Sequence, residues 1–124
     1  MNGFEYEVFR VVESEAARAK RGYRVFAQTS LGEVLRSSDA NAFRCVNSKR
    51  ADILVIDWLG RPFLAVECHG EGHYQGNAPA RDAVKKEALR KAGVRYIDVI
   101  PGYGEEQLRL RIREHLGAKI MSPA

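Results

Sequence analysis

The chain has 124 residues, of which 45% are hydrophobic and 29% charged, which points to a single globular domain spanning residues 1–124 and argues against two. A folded chain of this length buries roughly two-thirds of the surface its unfolded form exposes, so its core needs neither structural metal nor disulfides. Twenty Lys and Arg against sixteen Asp and Glu give a formal charge of +4, which permits a polyanion partner without requiring one.

Only two cysteines, Cys45 and Cys68, occur, and no apolar leader follows Met1, so a reduced, cytoplasmic setting is expected. The longest strongly apolar runs, Ile53 to Ile56 and Phe63 to Val66, are strand-length and far short of the ~20 residues that span a membrane.

In chain order, Phe4 to Lys20 sets Phe4, Val8, Val11, Val12, Ala16 and Ala19 at helical spacing with Glu13, Glu15, Arg18 and Lys20 between them, which predicts an amphipathic first helix, these charged residues on its polar side, stopped by Gly22. Tyr23 to Gln28 alternates and reads as a strand, Leu31 to Arg36 as a short helix, and Ser37 to Ser48 as a loop or ragged hairpin. Asp52 to Asp57 and Phe63 to Cys68 flank a Trp-Leu-Gly-Arg-Pro turn and predict an antiparallel hairpin. A helix then begins near Asn77 to Pro79, runs through Ala83, Val84, Ala88, Leu89 and Ala92, and ends at Gly93. Val94 to Ile100 is a fourth strand, and Glu105 to Leu116 a last helix with the apolar line Leu108, Ile112 and Leu116. A helical crossover between the third and fourth strands makes those two parallel. The expectation is an α/β fold: a mixed four-stranded sheet flanked by helices on both faces.

Two carboxylates fall in runs that read as buried strand. Asp52 opens one strand of the hairpin and Glu67 closes the other, so both reach one edge of the sheet. A buried pair of acids needs compensation, either by a divalent cation or by nearby bases such as Lys49, Arg50 and Arg61. His69 lies two residues beyond Glu67, hence on the same face, where it is a candidate ligand or proton carrier. His73 and Tyr74 follow in a glycine-rich stretch, and His115, among last-helix arginines, reads as a solvated surface residue. Arg81 and Lys85 are one helical turn apart, with Asp82 beside them.

These pieces resemble the PD-(D/E)XK nuclease superfamily, the restriction-endonuclease-like fold with an αβββαβ core, here with an extra C-terminal helix. The closest likeness is to its small bacterial domains similar to very-short-patch-repair endonucleases. It is carried by Lys49-Arg50-Ala51-Asp52-Ile53, by Val66-Glu67-Cys68-His69-Gly70-Glu71-Gly72-His73-Tyr74, by Arg81-Asp82 with Lys85, and by Ala92-Gly93-Val94. The likeness covers residues 4–100.

The resemblance implies Asp52 and Glu67 as ligands of Mg²⁺ or Mn²⁺, with His69 as a third. Glu5 on the first helix would complete the site, with Glu7 in reserve, and His73 would contact the scissile phosphate or donate a proton. His69 stands where the superfamily usually has Lys or Asp, and Lys85 is the residue that would supply the missing charge. The implied activity is metal-dependent hydrolysis of DNA phosphodiester bonds in repair, restriction or mobile-element biology. Lys49, Arg50, Arg81, Arg95 and the last-helix arginines are candidate phosphate contacts. The alternative, from a different class, is a catalytically inactive nucleic-acid-binding or assembly module on the same fold; a metal-free structural role for the acids is the third reading. A core this small, with no recognisable base-reading element, is expected to rely on a second copy or a partner protein to choose its target.

Overall fold

The computed structural model describes residues 2–30, 50–70 and 78–117. They form α1 (Gly3–Ala19), β1 (Arg24–Ser30), β2 (Arg50–Ile56), β3 (Pro62–Cys68), α2 (Ala78–Lys91), β4 (Arg95–Val99) and α3 (Glu105–Gly117). The four strands make one sheet in the order β1-β2-β3-β4. The first two pairings are antiparallel, and β3 and β4, joined through α2, are parallel. The expected α/β architecture with a mixed sheet is therefore present. The short helix expected at 31–36 and the loop or ragged hairpin at 37–48 lie outside the described residues.

Local chemistry explains the boundaries. The Asn2 side chain accepts the Glu5 N–H at 2.8 Å and caps the start of α1. The helix ends at Lys20, in the left-handed conformation with φ 53°, two residues before the glycine expected to stop it. Gly22, at φ +76°, turns the chain into β1, and a Cβ there would come within 2.9 Å of the Trp58 Cβ. Strand β2 begins at Arg50, so Asp52 lies inside the strand instead of opening it. The β2–β3 turn is tied by Asp57, whose Oδ1 accepts the N–H groups of Leu59 at 3.0 Å and Arg61 at 2.9 Å.

The sheet buries apolar side chains on both faces. On one, Val8, Val12, Ile53, Leu64, Val66, Ile97 and Ile112 form the larger core with α1 and α3. On the other, Leu54, Ala65, Ala88, Leu89 and Val94 pack in a smaller cluster under α2. Only the C-terminal half of α2 contributes: Ala83 and Val84, expected in its apolar face, are exposed. The middle of α2, through Lys85 and Lys86, instead lies over a polar region of the sheet.

One buried polar contact joins the helices of the larger core. Glu15, expected on the solvated side of α1, has a side chain only 2% exposed. Its carboxylate accepts from Arg113 Nε at 2.9 Å and from Arg109 Nη1 at 3.2 Å. Position 15 is four after Val11 and three after Val12, on the buried stripe, so the acid is compelled to find partners. Arg109 and Arg113, named above as phosphate contacts, are therefore engaged within the fold.

Arg113, and then Arg109, hold the Glu15 carboxyl below the usual carboxylate range against a burial that would raise it. A depressed folded-state pKa contributes stability above the ordinary value and loses it as pH falls through the lowered one. Glu15→Gln is expected to cost about 2 kcal/mol at pH 7, less than for a fully buried pair because the guanidinium groups keep partial contact with water. In urea titrations the gap between variant and wild type should close as pH drops below about 4; a gap independent of pH would contradict this role.

Candidate functional site

The polar region under α2 is built by strand register. In the β3–β4 pairing Glu67 lies opposite Asp98. In the β2–β3 pairing Ile53 lies opposite Val66, and one further step sets Asp52 opposite Glu67. Asp52, Glu67 and Asp98 thus form a row of three carboxylates across adjacent strands, at the end of the sheet where β3 terminates. On β1, Gln28 stands level with Asp52, between the pairs Ala27–Ile53 and Thr29–Ala51.

Each carboxylate in the row has a distinct partner. Asp52 Oδ2 accepts the Cys68 backbone N–H at 2.8 Å. Lys85 Nζ lies 2.5 Å from Glu67 Oε1, with both side chains almost buried, at 11% and 7% exposure. Lys86 Nζ lies 2.7 Å from Asp98 Oδ2, and the other Asp98 oxygen meets His69 Nε2. Consecutive lysines of α2 therefore clamp two carboxylates of the row, so the middle of this helix presents charge to the sheet.

Glu67 carries the electrostatic strain of the arrangement. Burial, with the adjacent Asp52 adding to it, pushes its pKa up to about 8, and Lys85 only partly offsets this. The buried Cys68 thiol is pushed up to about 12, by burial first and then by Asp52, Glu5 and Glu67. Those three carboxylates therefore lie within electrostatic reach of one point at the end of β3. Glu5 is oriented by Gln28, whose Nε2 donates to Glu5 Oε2 at 2.9 Å. Gln28 itself has φ 56°, a left-handed backbone uncommon for a residue with a side chain and often kept at functional positions.

Several of the expected site residues come together. Asp52, Glu67 and Lys85 make one cluster, Glu5 approaches it from α1, and His69 lies beside it with its ring on Asp98. Glu7 is exposed and lies near the Tyr103 phenol, whose pKa it helps to raise after burial. Arg61, one of the bases considered for the acids, pairs with Asp57 at 3.1 Å instead. Arg95 is on the opposite face, 5.7 Å over the Phe63 ring and 3.3 Å from His115 Nδ1. His115 is accordingly half-buried and not the solvated residue expected. Lys49, His73 and Tyr74 lie outside the described residues, and Arg50 and Arg81 are described through their backbone, within β2 and α2. Among the described residues, no three His, Cys, Asp or Glu side chains converge as a ready metal cage; Asp52 and Glu67 are a pair.

Asp98 and Gln28 escaped the sequence reading. For Asp98 the signal was available: Ile97 and Val99 alternate with it, and a parallel alignment of β4 on β3 sets it beside Glu67. Gln28 gives no such signal, because its role depends on a left-handed backbone that its residue type does not announce.

The family described as "Protein of unknown function (DUF2726)" matches residues 1–116. The chain is 44% identical over 108 residues to an uncharacterised protein of Haemophilus influenzae, covering 87% of this chain and 57% of that protein. It is 46% identical over 102 residues to the uncharacterised protein y4bI of Sinorhizobium fredii, covering 82% of this chain and 74% of the relative. The chain thus spans little more than half the length of the first relative and about three-quarters of the second. No solved structure matches it.

A carboxyl whose folded-state pKa is raised costs stability, and the cost accrues as pH rises from the unfolded value to the folded one. In metal-free buffer Glu67→Gln is therefore expected to stabilise the fold relative to wild type. The gain should be absent near pH 4, grow to a few kcal/mol and level off near the folded pKa of about 8. Chemical denaturation across that range reads it, and destabilisation by the variant at pH 8 would contradict the assignment.

Proposed function

The chain belongs to the DUF2726 family, and on the geometry of its polar row we propose that it is a cytoplasmic, metal-dependent DNA endonuclease of the PD-(D/E)XK kind, acting in repair, restriction or mobile-element processes. The observation that carries this reading is the adjacent pair of half-buried Asp52, near the start of β2, and buried Glu67, at the end of β3, with Lys85 on Glu67. The element order supports it: among the described residues a helix, three strands, a crossover helix and a fourth strand parallel to the third, followed by one more helix, agree with the order expected of a restriction-endonuclease-like core with a C-terminal addition.

The residues present fit a divalent cation. Buried Glu67 and half-buried Asp52 repel as neighbours, and even with Lys85 beside it Glu67 keeps a raised pKa, so the pair is short of positive charge. Mg²⁺ characteristically takes one or two carboxylates and completes its shell with waters and substrate phosphates, so a pair suffices and a cage is not required. Asp52 and Glu67 would hold the ion. When bound, it lowers the pKa of a coordinated water and offsets charge developing on phosphoryl oxygens.

The chain's own residues account for the remaining demands of hydrolysis. Lys85, fixed by the rigid α2 helix, supplies a cation next to Glu67 that can turn to a phosphoryl oxygen in the transition state. Glu5, oriented by Gln28, adds negative charge on the α1 side. Lys49, Arg50, Arg81 and His73 remain phosphate contacts by resemblance, and such contacts make binding steeply salt-dependent and largely indifferent to sequence. A second copy or partner protein would supply target choice. One observation favours the runner-up, an inactive nucleic-acid-binding or assembly module: the close Lys85 contact already neutralises part of the Glu67 charge.

The test is cleavage of plasmid, single-stranded and branched DNA with Mg²⁺ or Mn²⁺, comparing wild type with Asp52→Asn and Glu67→Gln. Nicking by wild type is expected to fall at least about a hundredfold in each variant, as on removal of a group that stabilises transition-state charge, with DNA affinity retained. No cleavage by folded wild type, or equal cleavage by all three proteins, would move the assignment to the binding module.

A further inference from the structure

Asp98 is absent from the motif pieces that carry the nuclease resemblance, yet it is a full member of the carboxylate row, opposite Glu67 in register. Its partner His69 is held on two sides. The His69 backbone N–H donates to the Val99 carbonyl at 2.8 Å, which extends the β3–β4 pairing by one more bond. The ring, only 2% exposed, brings Nε2 to Asp98 Oδ1.

A carboxylate can only accept, so an Nε2 in contact with it carries the proton, and the other ring nitrogen of a neutral imidazole is then the acceptor. Lys86 matters because it keeps Asp98 an anion: its ammonium lies 2.7 Å from Oδ2 and 5.0 Å from the Tyr96 ring centroid. Burial alone would raise the Asp98 pKa, but Lys86 and His69 together bring it below its ordinary value. The chain Lys86, Asp98, His69 thus runs from the surface of α2 to a buried imidazole two residues from Glu67.

We infer that Asp98 is a positioning residue for the nuclease site, holding His69 as the tautomer protonated at Nε2 so that Nδ1 is the accepting nitrogen of the ring beside Glu67. The inference rests on the nuclease reading for its consequence and on the geometry alone for the tautomer. It gives the histidine that replaces the superfamily's Lys or Asp a defined chemical form, in the way that carboxylates fix the tautomer and aim of functional histidines elsewhere.

The two parts are separable by experiment. Long-range proton–nitrogen correlation spectra of ¹⁵N-labelled protein in metal-free buffer should identify His69 as protonated at Nε2 in wild type. Asp98→Asn, whose amide can present either a donor or an acceptor, should populate both tautomers. Cleavage in Mn²⁺ should lose about tenfold to a hundredfold in kcat with KM unchanged. Lys86→Gln, on the helix surface, should move both readouts in the same direction by less, and it serves if Asp98→Asn folds poorly. A wild-type ring protonated at Nδ1, or a tautomer unaffected by either variant, would overturn the inference. Tautomer changes as expected, with no cleavage by any of the proteins, would uphold the lock while counting against the nuclease reading.

Discussion

Three carboxylates in one row across a sheet, roofed by a helix, set the terms for this molecule. Asp52, Glu67 and Asp98 come from consecutive strands in the sheet order, so strand spacing alone holds neighbours in the row near ~5 Å apart. Carboxylates that close cannot all be buried without compensation. The chain answers with Lys85 and Lys86 from α2, with a backbone N–H on Asp52 and with an imidazole on Asp98. Even so, Glu67 is left with a raised pKa, a stability cost of the kind that persists where a site needs it. The division of α2 follows from the same constraint. Its last turns pack Ala88 and Leu89 into the smaller core, while its middle carries charge to the row.

The opposite face of the sheet bears the structural load. Val8, Val12, Ile53, Leu64, Val66, Ile97 and Ile112 make a continuous apolar layer between the sheet and α1 and α3. Glu15, an acid buried in that layer, is answered by two arginines. Both faces thus bury carboxylates, with different results. Glu15 meets guanidinium groups that still touch water and its pKa falls, whereas Glu67 meets a second acid and a single ammonium in a drier place and its pKa rises. A rigid, well-packed layer on one face lets the polar row on the other hold its spacing, as a preorganised site requires.

Much of this was legible in the residues. The short continuous apolar runs at 53–56 and 63–66 point to the hairpin, and an acid at one end of each points to the Asp52–Glu67 pair, although β2 starts two residues earlier than the apolar pattern suggests. The crossover helix gave the parallel β4. What stayed hidden has physical causes. Glu15 was read as surface because residue type was given more weight than its place on the buried stripe of α1. Asp98 was passed over because its importance lies in a pairing between strands about thirty residues apart, visible only once β3 and β4 are aligned. His115 and Arg95 were read singly and are in fact a contact between α3 and β4. Gln28 depends on a left-handed backbone that local propensity does not encode.

The central claim is that Asp52 and Glu67 hold a divalent cation, and the most direct measurement is the melting temperature of wild type and of Asp52→Asn as Mn²⁺ is titrated. Saturable stabilisation of wild type is predicted, about 2.7 kcal/mol at a hundred times the dissociation constant, and its loss in the variant. Equal stabilisation of both proteins, or none of either, would contradict the account.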